Sequence, residues 1–235
     1  MNILLIGYGK MGKTIERIAI GRGHTIAGRI DEPSNQWQLP ANVDVAIEFT
    51  HPDSAVGNLK KCLQSKVPVV CGTTGWLSHK PEVDQLCAQQ GGAFFYASNY
   101  SLGVNIFFKV NEYLARLMNS QSDYQVSIDE THHTEKKDAP SGTAITLAEG
   151  ILKHVERKVQ WTKGESKQST DLAIRSHRID PAPGTHVITY QSPIDTIEIT
   201  HTAHTREGFA KGAVLAAEWL VGKRGVFGMD DLLEF

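Results

Sequence analysis

Along the first hundred residues, short apolar runs alternate with segments of helical period. Residues 2–6 (NILLI) are continuously apolar, as a strand covered on both faces should be. Met11, Ile15, Ile18 and Ala19 then recur at i, i+4, i+7 and i+8, the stripe of an amphipathic helix. Gly21 and Gly23 end that helix, and His24–Ile30 predicts a second strand with Asp31 at its carboxyl end. Val43–Phe49, Val67–Cys71 and Ala93–Ala97 predict three more strands, with helices over about 53–65 and 81–90 between them. Strict alternation of strand and helix predicts an α/β architecture, a parallel sheet with helices on both faces.

From about Leu102 the rhythm changes. A helix over 103–118 leads to a strand at Tyr124–Asp129, a polar stretch, and a helix over Ala144–His154. Strands follow at Asp171–Arg178, Gly184–Gln191 and Ile194–Ala203, separated by turns at Asp180–Gly184 and Ser192–Pro193. Strands in succession with one or two helices predict a separate α+β layer. Phe209–Leu220 returns to the spacing of a sheet-covering helix and is expected to pack back on the first domain. The chain thus divides discontinuously, 1–101 with 207–235 and 102–206 inserted. No internal repeat is visible.

Composition narrows the class. The 235 residues are 40% hydrophobic and 21% charged, enough to bury a core, which excludes a disordered tail and a fibrous repeat. The formal charge of -2 removes the electrostatic argument for nucleic-acid binding, so substrate charge must be handled by a few placed residues. Three cysteines, Cys62, Cys71 and Cys87, form no CxxC pair and read as reduced thiols, which suits the cytoplasm. No apolar run is long enough to span a bilayer, and the opening residues read as a strand, not a signal peptide. No membrane partner is expected.

Gly7-Tyr8-Gly9-Lys10-Met11-Gly12 lies between the first strand and the first helix, and Asp31 follows nineteen positions after Gly12. In that context GxGxxG predicts a dinucleotide site. Gly7 permits the turn, Gly9 lets the backbone approach a pyrophosphate, and Gly12 lets helix and strand pack closely. The helix N-terminus offers unpaired N–H groups to the anion. Asp31 would accept from the adenosine ribose hydroxyls, which favours NADH. Glu32 stands where a cation would be wanted for a 2′-phosphate, while Arg29 nearby leaves NADPH open. Two further loops fall at carboxyl ends of strands, where ligands of open α/β sheets sit. These are Gly72-Thr73-Thr74-Gly75 and Ala97-Ser98-Asn99-Tyr100, candidates for the nicotinamide end or simply well-made turns.

Residues 132–143 concentrate the chemistry of the second half. His132, His133, Lys136, Lys137 and a Pro140-Ser141-Gly142-Thr143 helix start occupy twelve positions. A helix start with small residues is an anion site. With His133 and a lysine, the Gly142 and Thr143 amides would hold carboxylates. An imidazole titrates near neutral pH, so His132 is the natural proton-transfer group. A solvated strand edge and a plain helix cap are the bland alternatives. A zinc site built from His132, His133, His201 and His204 is disfavoured, because no acidic or thiol ligand has suitable spacing. His201 and His204, three apart in one strand, also point to opposite faces. No metal is expected.

At these residues the chain resembles the 4-hydroxy-tetrahydrodipicolinate (dihydrodipicolinate) reductases of diaminopimelate–lysine biosynthesis, along essentially its whole length. The most specific element is Glu130-x-His132-His133-x-x-Lys136-x-Asp138-Ala-Pro-Ser-Gly142-Thr143-Ala. Gly7–Gly12, Asp44–Pro52, Gly72–Gly75 and Ala97–Asn105 support it. The resemblance implies a Rossmann-type domain from both chain ends, an inserted mixed-sheet substrate and oligomerisation domain, and a homotetramer assembled through that sheet. It implies NADH or NADPH as cofactor, held by Gly7–Gly12 and Asp31, with Gly72–Thr74 and Ala97–Tyr100 at the nicotinamide end. It implies His132 as catalytic acid/base and Lys136 as a second proton-transfer residue. His133, Gly142, Thr143 and Arg206 would bind a small cyclic dicarboxylate. Two departures stand out: the phosphate loop is one residue shorter than in many members, and Glu32 replaces an arginine found in some. Another Rossmann amino-acid dehydrogenase and a non-catalytic dinucleotide sensor are the rival readings. The dehydrogenase has no need of the 132–143 constellation, and cofactor binding without hydride transfer to any cyclic imine dicarboxylate would favour the sensor.

Overall fold

The computed structural model of the protein describes residues 1–31, 37–166, 168–205 and 207–235. Along the chain run β1 (Asn2–Ile6), α1 (Lys10–Gly21), β2 (Thr25–Ile30), β3 (Val45–Glu48), α2 (Pro52–Gln64), β4 (Val69–Cys71), α3 (Lys80–Gln90) and β5 (Ala93–Tyr96). Then follow α4 (Leu102–Met118), β6 (Gln125–His132), α5 (Gly142–Leu152), β7 (Gln160–Lys163), β8 (Asp171–Arg178), β9 (Gly184–Gln191) and β10 (Thr196–Ala203). The chain closes with α6 (Glu207–Leu220), β11 (Gly225–Phe227) and α7 (Met229–Leu232). Two compact units result, Met1–Leu102 with Glu207–Phe235, and Gly103–Arg206.

The first unit is a doubly wound sheet of six parallel strands in the order β11-β5-β4-β3-β1-β2. Ile3 and Leu5 face one layer with α1 and α6, through Ile15, Ala19, Ala213, Val214 and Ala217. Leu4 and Ile6 face the other with α2 and α3, through Leu59, Cys62, Leu63, Val83 and Cys87. Burial on both sides is why these strands read as continuous apolar runs. From β1 the chain goes to β2 on one side and β3 on the other, so the carboxyl ends of β1 and β3 flank the topological switch point, where such sheets bind ligands.

The second unit is a mixed sheet, β10-β9-β6-β8-β7, with antiparallel pairs from β10 to β6 and parallel pairs from β6 to β7. One face is packed by Phe107 and Ala115 of α4 and Leu147 and Ile151 of α5, against Val126, Ile128, Ile174 and Ile188 of the sheet. Strand β6 alternates, with Val126, Ile128, Glu130 and His132 buried. That alternation carries two polar side chains into the interior as neighbours of an apolar row.

Several expected boundaries move. The strand expected to stop at Asp129 continues to His132, because β8 keeps pairing in parallel as far as Arg178 and the Ile179 amide donates to the His132 carbonyl. The helix expected from Ala144 starts at Gly142, with Ser141 as cap. The strand expected from Ile194 starts at Thr196, since Ser192 and Asp195 close a turn through side chain and backbone. It ends at Ala203, so His204 lies beyond it and the opposite-face argument for His201 and His204 does not apply. Short β7, β11 and α7, with no period of their own to read, were not anticipated. No helix among the described residues is long and apolar enough to cross a membrane.

Candidate active site

At the switch point the glycine loop is shaped by backbone contacts. Gly7 has φ +94°, and a Cβ there would lie 1.9 Å from the Phe49 carbonyl oxygen. A Cβ at Gly12 would lie 2.2 Å from the Gly7 oxygen, so the helix can start this close to the strand only without a side chain. Gly9 is different: nothing lies within 4 Å of its Cβ position, and it opens α1 with no side-chain cap. The first-turn amides of α1 thus have no side-chain cap. Lys10 is exposed there, while Met11 packs on the core. A cavity of about 240 Å³ is lined by Gly7, Tyr8, Gly9, Asp31, Phe49 and Thr50, among others. The Tyr8 amide donates to Asp31 Oδ1 at 3.2 Å, fixing this exposed carboxylate beside the loop.

Arg29 is engaged inside the unit. Its guanidinium binds Glu16, which also accepts from the Tyr8 hydroxyl, and it lies 5.6 Å from the centre of the Tyr8 ring. The Arg29 and Tyr8 contacts hold the Glu16 carboxyl below its ordinary range. Glu32 and Arg206 lie outside the described residues.

The two further loops are tied into the fold more than expected. The Thr73 hydroxyl is buried and accepts from the Thr50 amide at 2.8 Å. The Gly72 amide donates to the Glu48 carbonyl at 2.9 Å, and Thr74 is exposed. Tyr100 is buried and its hydroxyl donates to the Cys71 carbonyl at 2.6 Å. Burial pushes the Tyr100 phenol well up. Ala97 is buried, Ser98 exposed, and Asn99 accepts from the Ser101 amide at 2.9 Å. Beneath them lies the wholly buried Glu48, bonded by the Thr50 hydroxyl and by the Cys71 thiol at 3.1 Å. Burial, reinforced by Glu48, pushes that thiol well up, so Cys71 is not a nucleophile.

In the second unit the buried end of β6 meets β9. His132 Nδ1 lies 3.1 Å from Glu130 Oε2, and His186 Nε2 lies 3.9 Å from the same oxygen. The two imidazoles meet edge to face, 5.2 Å between centres. Glu130 Oε1 accepts from the Ser141 amide at 3.0 Å and faces Arg178 Nη2 at 3.4 Å. Burial disfavours the Glu130 charge, yet the contacts with His132 and Ser141 outweigh it and hold the carboxyl well below the usual range. Burial pushes His186 down to about 4, with His132 adding to the effect, so it is neutral at physiological pH. Its Nε2 sits 3.2 Å from the Ser141 hydroxyl, which also caps α5 by accepting from the Ala144 amide.

Arg178 connects this cluster to the lysine loop, donating to the carbonyls of Lys136 at 3.2 Å and Asp138 at 2.6 Å. Lys136 is paired with Asp138 at 2.8 Å, and Lys137 is exposed. Gly142 and Thr143 open α5 at the surface. His133 lines an open cavity of about 450 Å³ with Thr134, Asp180 and Pro181. The structure thus places His132 and Glu130 in contact and ties the Lys136 loop and the α5 start to the same carboxylate.

Sequence reasoning gave no role to Glu130, His186 or Arg178. Glu130 shares a face with His132 because β6 runs on through both residues, an extension set by pairing with β8. An acidic group does stand beside these histidines, contrary to the expectation from spacing: ligand atoms of Glu130, His132 and His186 all lie within 4.8 Å of one another. Arg178 already neutralises this carboxylate. His186 depended on the pairing of β9 with β6, which sets it opposite Glu130 and which no local pattern encodes.

A doubly wound sheet with a glycine loop at its switch point, and a second unit carrying a buried acid–base pair, define a two-part oxidoreductase. The chain belongs to the dihydrodipicolinate reductase family: residues 1–100 match the model of its N-terminal part and residues 103–233 that of its C-terminal part. It is 47% identical to the 4-hydroxy-tetrahydrodipicolinate reductase of Christiangramia forsetii, over 99% of this chain and 98% of that one. It is 33% identical to the enzyme of the same name from Methanoregula boonei, over 96% and 94%. The dipicolinate-bound dihydrodipicolinate reductase of a Paenisporosarcina species has the same fold, with a TM-score of 0.78 at 20% identity over 98% and 99% of the two chains. Aspartate dehydrogenase from Thermotoga maritima resembles it at a TM-score of 0.51 and 14% identity, over 95% and 97%.

Proposed function

We propose that this protein reduces 4-hydroxy-tetrahydrodipicolinate, by way of dihydrodipicolinate, to tetrahydrodipicolinate in diaminopimelate and lysine biosynthesis, with NADH favoured over NADPH. The observation that carries the reading is the buried His132–Glu130 pair, linked through Ser141 and Arg178 to the loop of Lys136 and the start of α5. The unit Met1–Leu102 with Glu207–Phe235 is the dinucleotide-binding domain; Gly103–Arg206 is the substrate and oligomerisation domain.

The residues present fit a dinucleotide. The open space at Gly9, the uncapped first turn of α1 and the cavity reaching Asp31 suit a pyrophosphate and a ribose diol. Gly72, Thr73, Thr74, Ala97, Ser98, Asn99 and Tyr100 form the nicotinamide end, chiefly through backbone groups. When bound, the nicotinamide supplies a hydride to ring C4. Lys136, His133 and the amides of Gly142 and Thr143 hold the substrate carboxylates, with Arg206 as a further contact. Their positive potential draws electron density from the conjugated ring as negative charge builds at C3. His132 delivers a proton to C3, and Lys136 serves the second proton transfer. NADH is favoured because the exposed Asp31 carboxylate, oriented by the Tyr8 amide, would accept from the ribose hydroxyls while Glu16 occupies Arg29. The working form is a cytoplasmic homotetramer assembled through the mixed sheet. Support comes from edge strand β10, which leaves Ile197 on its exposed surface.

The test is a steady-state assay at 340 nm with substrate made freshly by the preceding synthase. The expected result is oxidation of NADH, with a higher kcat/KM than for NADPH. No oxidation of either cofactor would remove the assignment.

A further inference from the structure

We infer that Glu130 is a positioning residue for the proton-transfer histidine, fixing His132 as the Nδ1–H tautomer and so leaving Nε2 to face the reacting carbon. The inference rests on the role given to His132 under the proposed function, and extends it to a buried carboxylate that acts through another side chain. Three observations support it. Glu130 Oε2 is 3.1 Å from His132 Nδ1, the ion-pair distance, and among the described residues neither of these two buried atoms has a hydrogen-bond partner elsewhere or meets hydrogen-bond geometry with the other. A proton on Nδ1 therefore has one acceptor to face, an ionised carboxylate, whereas a bare Nδ1 would set a lone pair against an anion. On the other side of the ring, a Cβ at Gly184 would lie 3.1 Å from His132 Nε2. The residue beside the working nitrogen is thus one without a side chain.

The rest of the cluster makes Glu130 an oriented group. Its other oxygen, Oε1, faces two donors, the Ser141 amide at 3.0 Å and Arg178 Nη2 at 3.4 Å. Oε2 is left for the histidines. Of these, His186 stands farther away and is neutral, so no second cation competes with a protonated His132. In the proton step the Nε2–H bond breaks and its electron pair stays on nitrogen. A C3–H bond forms from the electron pair that the hydride addition leaves at C3. The imidazole ends neutral with its Nδ1–H still facing Glu130, and no group beyond the hydride donor and the bound substrate is needed.

The two donors on Oε1 also dictate what Glu130→Gln should do. They hold the amide oxygen of the glutamine at the Oε1 position, which turns its NH2 toward His132 Nδ1. The histidine must then accept at Nδ1 and carry its proton on Nε2, the wrong tautomer for the reaction cycle. The expected result is a kcat lower by about 10²-fold or more, within the range of lost acid–base catalysis, with KM changed less than about threefold. The deciding readout needs no substrate. 15N spectra of histidine-labelled protein, with His132 assigned through His132→Gln, should show Nδ1–H in the wild type and Nε2–H in Glu130→Gln. A wild-type Nε2–H tautomer overturns the inference whether or not the variant folds. So does a folded Glu130→Gln that keeps Nδ1–H or full kcat. Nδ1–H in the wild type with no turnover of the proposed substrate would leave the Glu130–His132 pairing standing and remove the substrate assignment instead.

Discussion

Replacing Gly7 and Gly9 separately by alanine distinguishes the fold of the phosphate loop from its ligand. At Gly7 the backbone has φ +94°, and a Cβ would stand 1.9 Å from the Phe49 carbonyl oxygen. Carbon and oxygen normally approach to about 3.3 Å. The loop must therefore withdraw by more than an ångström, and the Gly7 amide bond to the Ile30 carbonyl, 2.7 Å long, does not survive that movement. The left-handed backbone costs about 1–3 kcal/mol. The lost hydrogen bond adds about 1 kcal/mol. A total of about 2–4 kcal/mol lowers the Tm of a chain this size by roughly 5–15 °C. At Gly9, φ is −74° and the Cβ position is open. Alanine is a poorer N-cap than glycine by about 0.5–1 kcal/mol. It also restricts the unfolded chain, which returns about 0.4–1 kcal/mol. Stability should hardly change, while the methyl group stands where the pyrophosphate must approach the first turn of α1. Thermal melts by circular dichroism and NADH titration by fluorescence separate the two effects. Gly7→Ala should melt early, and Gly9→Ala should melt with the wild type but bind NADH at least tenfold more weakly. Wild-type affinity in Gly9→Ala, or a wild-type Tm in Gly7→Ala, would refute this account of the loop.

Three further outcomes are expected. His132→Ala should lower kcat by about 10²–10⁴ with KM nearly unchanged, measured in the 340 nm assay; an unchanged kcat removes the residue from proton transfer. His186, at about 4 in the folded protein against about 6.5 unfolded, binds fewer protons folded than unfolded between those values. Its contribution of about 3 kcal/mol is present above pH 6.5 and lost as pH falls toward 4, so His186→Gln should flatten Tm against pH across that window. Glu130 acts in the same direction mainly below about pH 4.3, at the acid edge of that window. Glu16→Gln should release Arg29 and lower the NADPH Kd relative to that of NADH; an unchanged ratio would show that Arg29 does not reach the 2′-phosphate.

The doubly wound sheet was legible because its strands are buried on both faces and its helices carry an apolar stripe, signals contained within ten residues. The glycine loop was legible for a related reason: its contacts, from Gly7 to Phe49 and from Gly12 to Gly7, leave the turn no other residue type. The 132–143 stretch announced its chemistry by composition alone. Its geometry was less readable. The extension of β6 to His132 comes from pairing with β8, some forty residues later, and His186 enters through the register of β9. Thr73 and Tyr100, which sit on loops of the expected kind, direct their hydroxyls to Thr50 and Cys71 inside the fold. Loop position named these residues; only the hydrogen bonds show that their side chains serve as struts.

The proposed reaction delivers a hydride to C4 and a proton from His132 to C3 of a cyclic dicarboxylate. The most direct measurement follows both atoms by NMR, using nicotinamide-deuterated NADH in ordinary water and, separately, unlabelled NADH in deuterium oxide. The expected product is tetrahydrodipicolinate with cofactor deuterium at C4 only in the first case and solvent deuterium at C3 in the second. Product without cofactor deuterium at C4, or no product from this substrate with either cofactor, would contradict it.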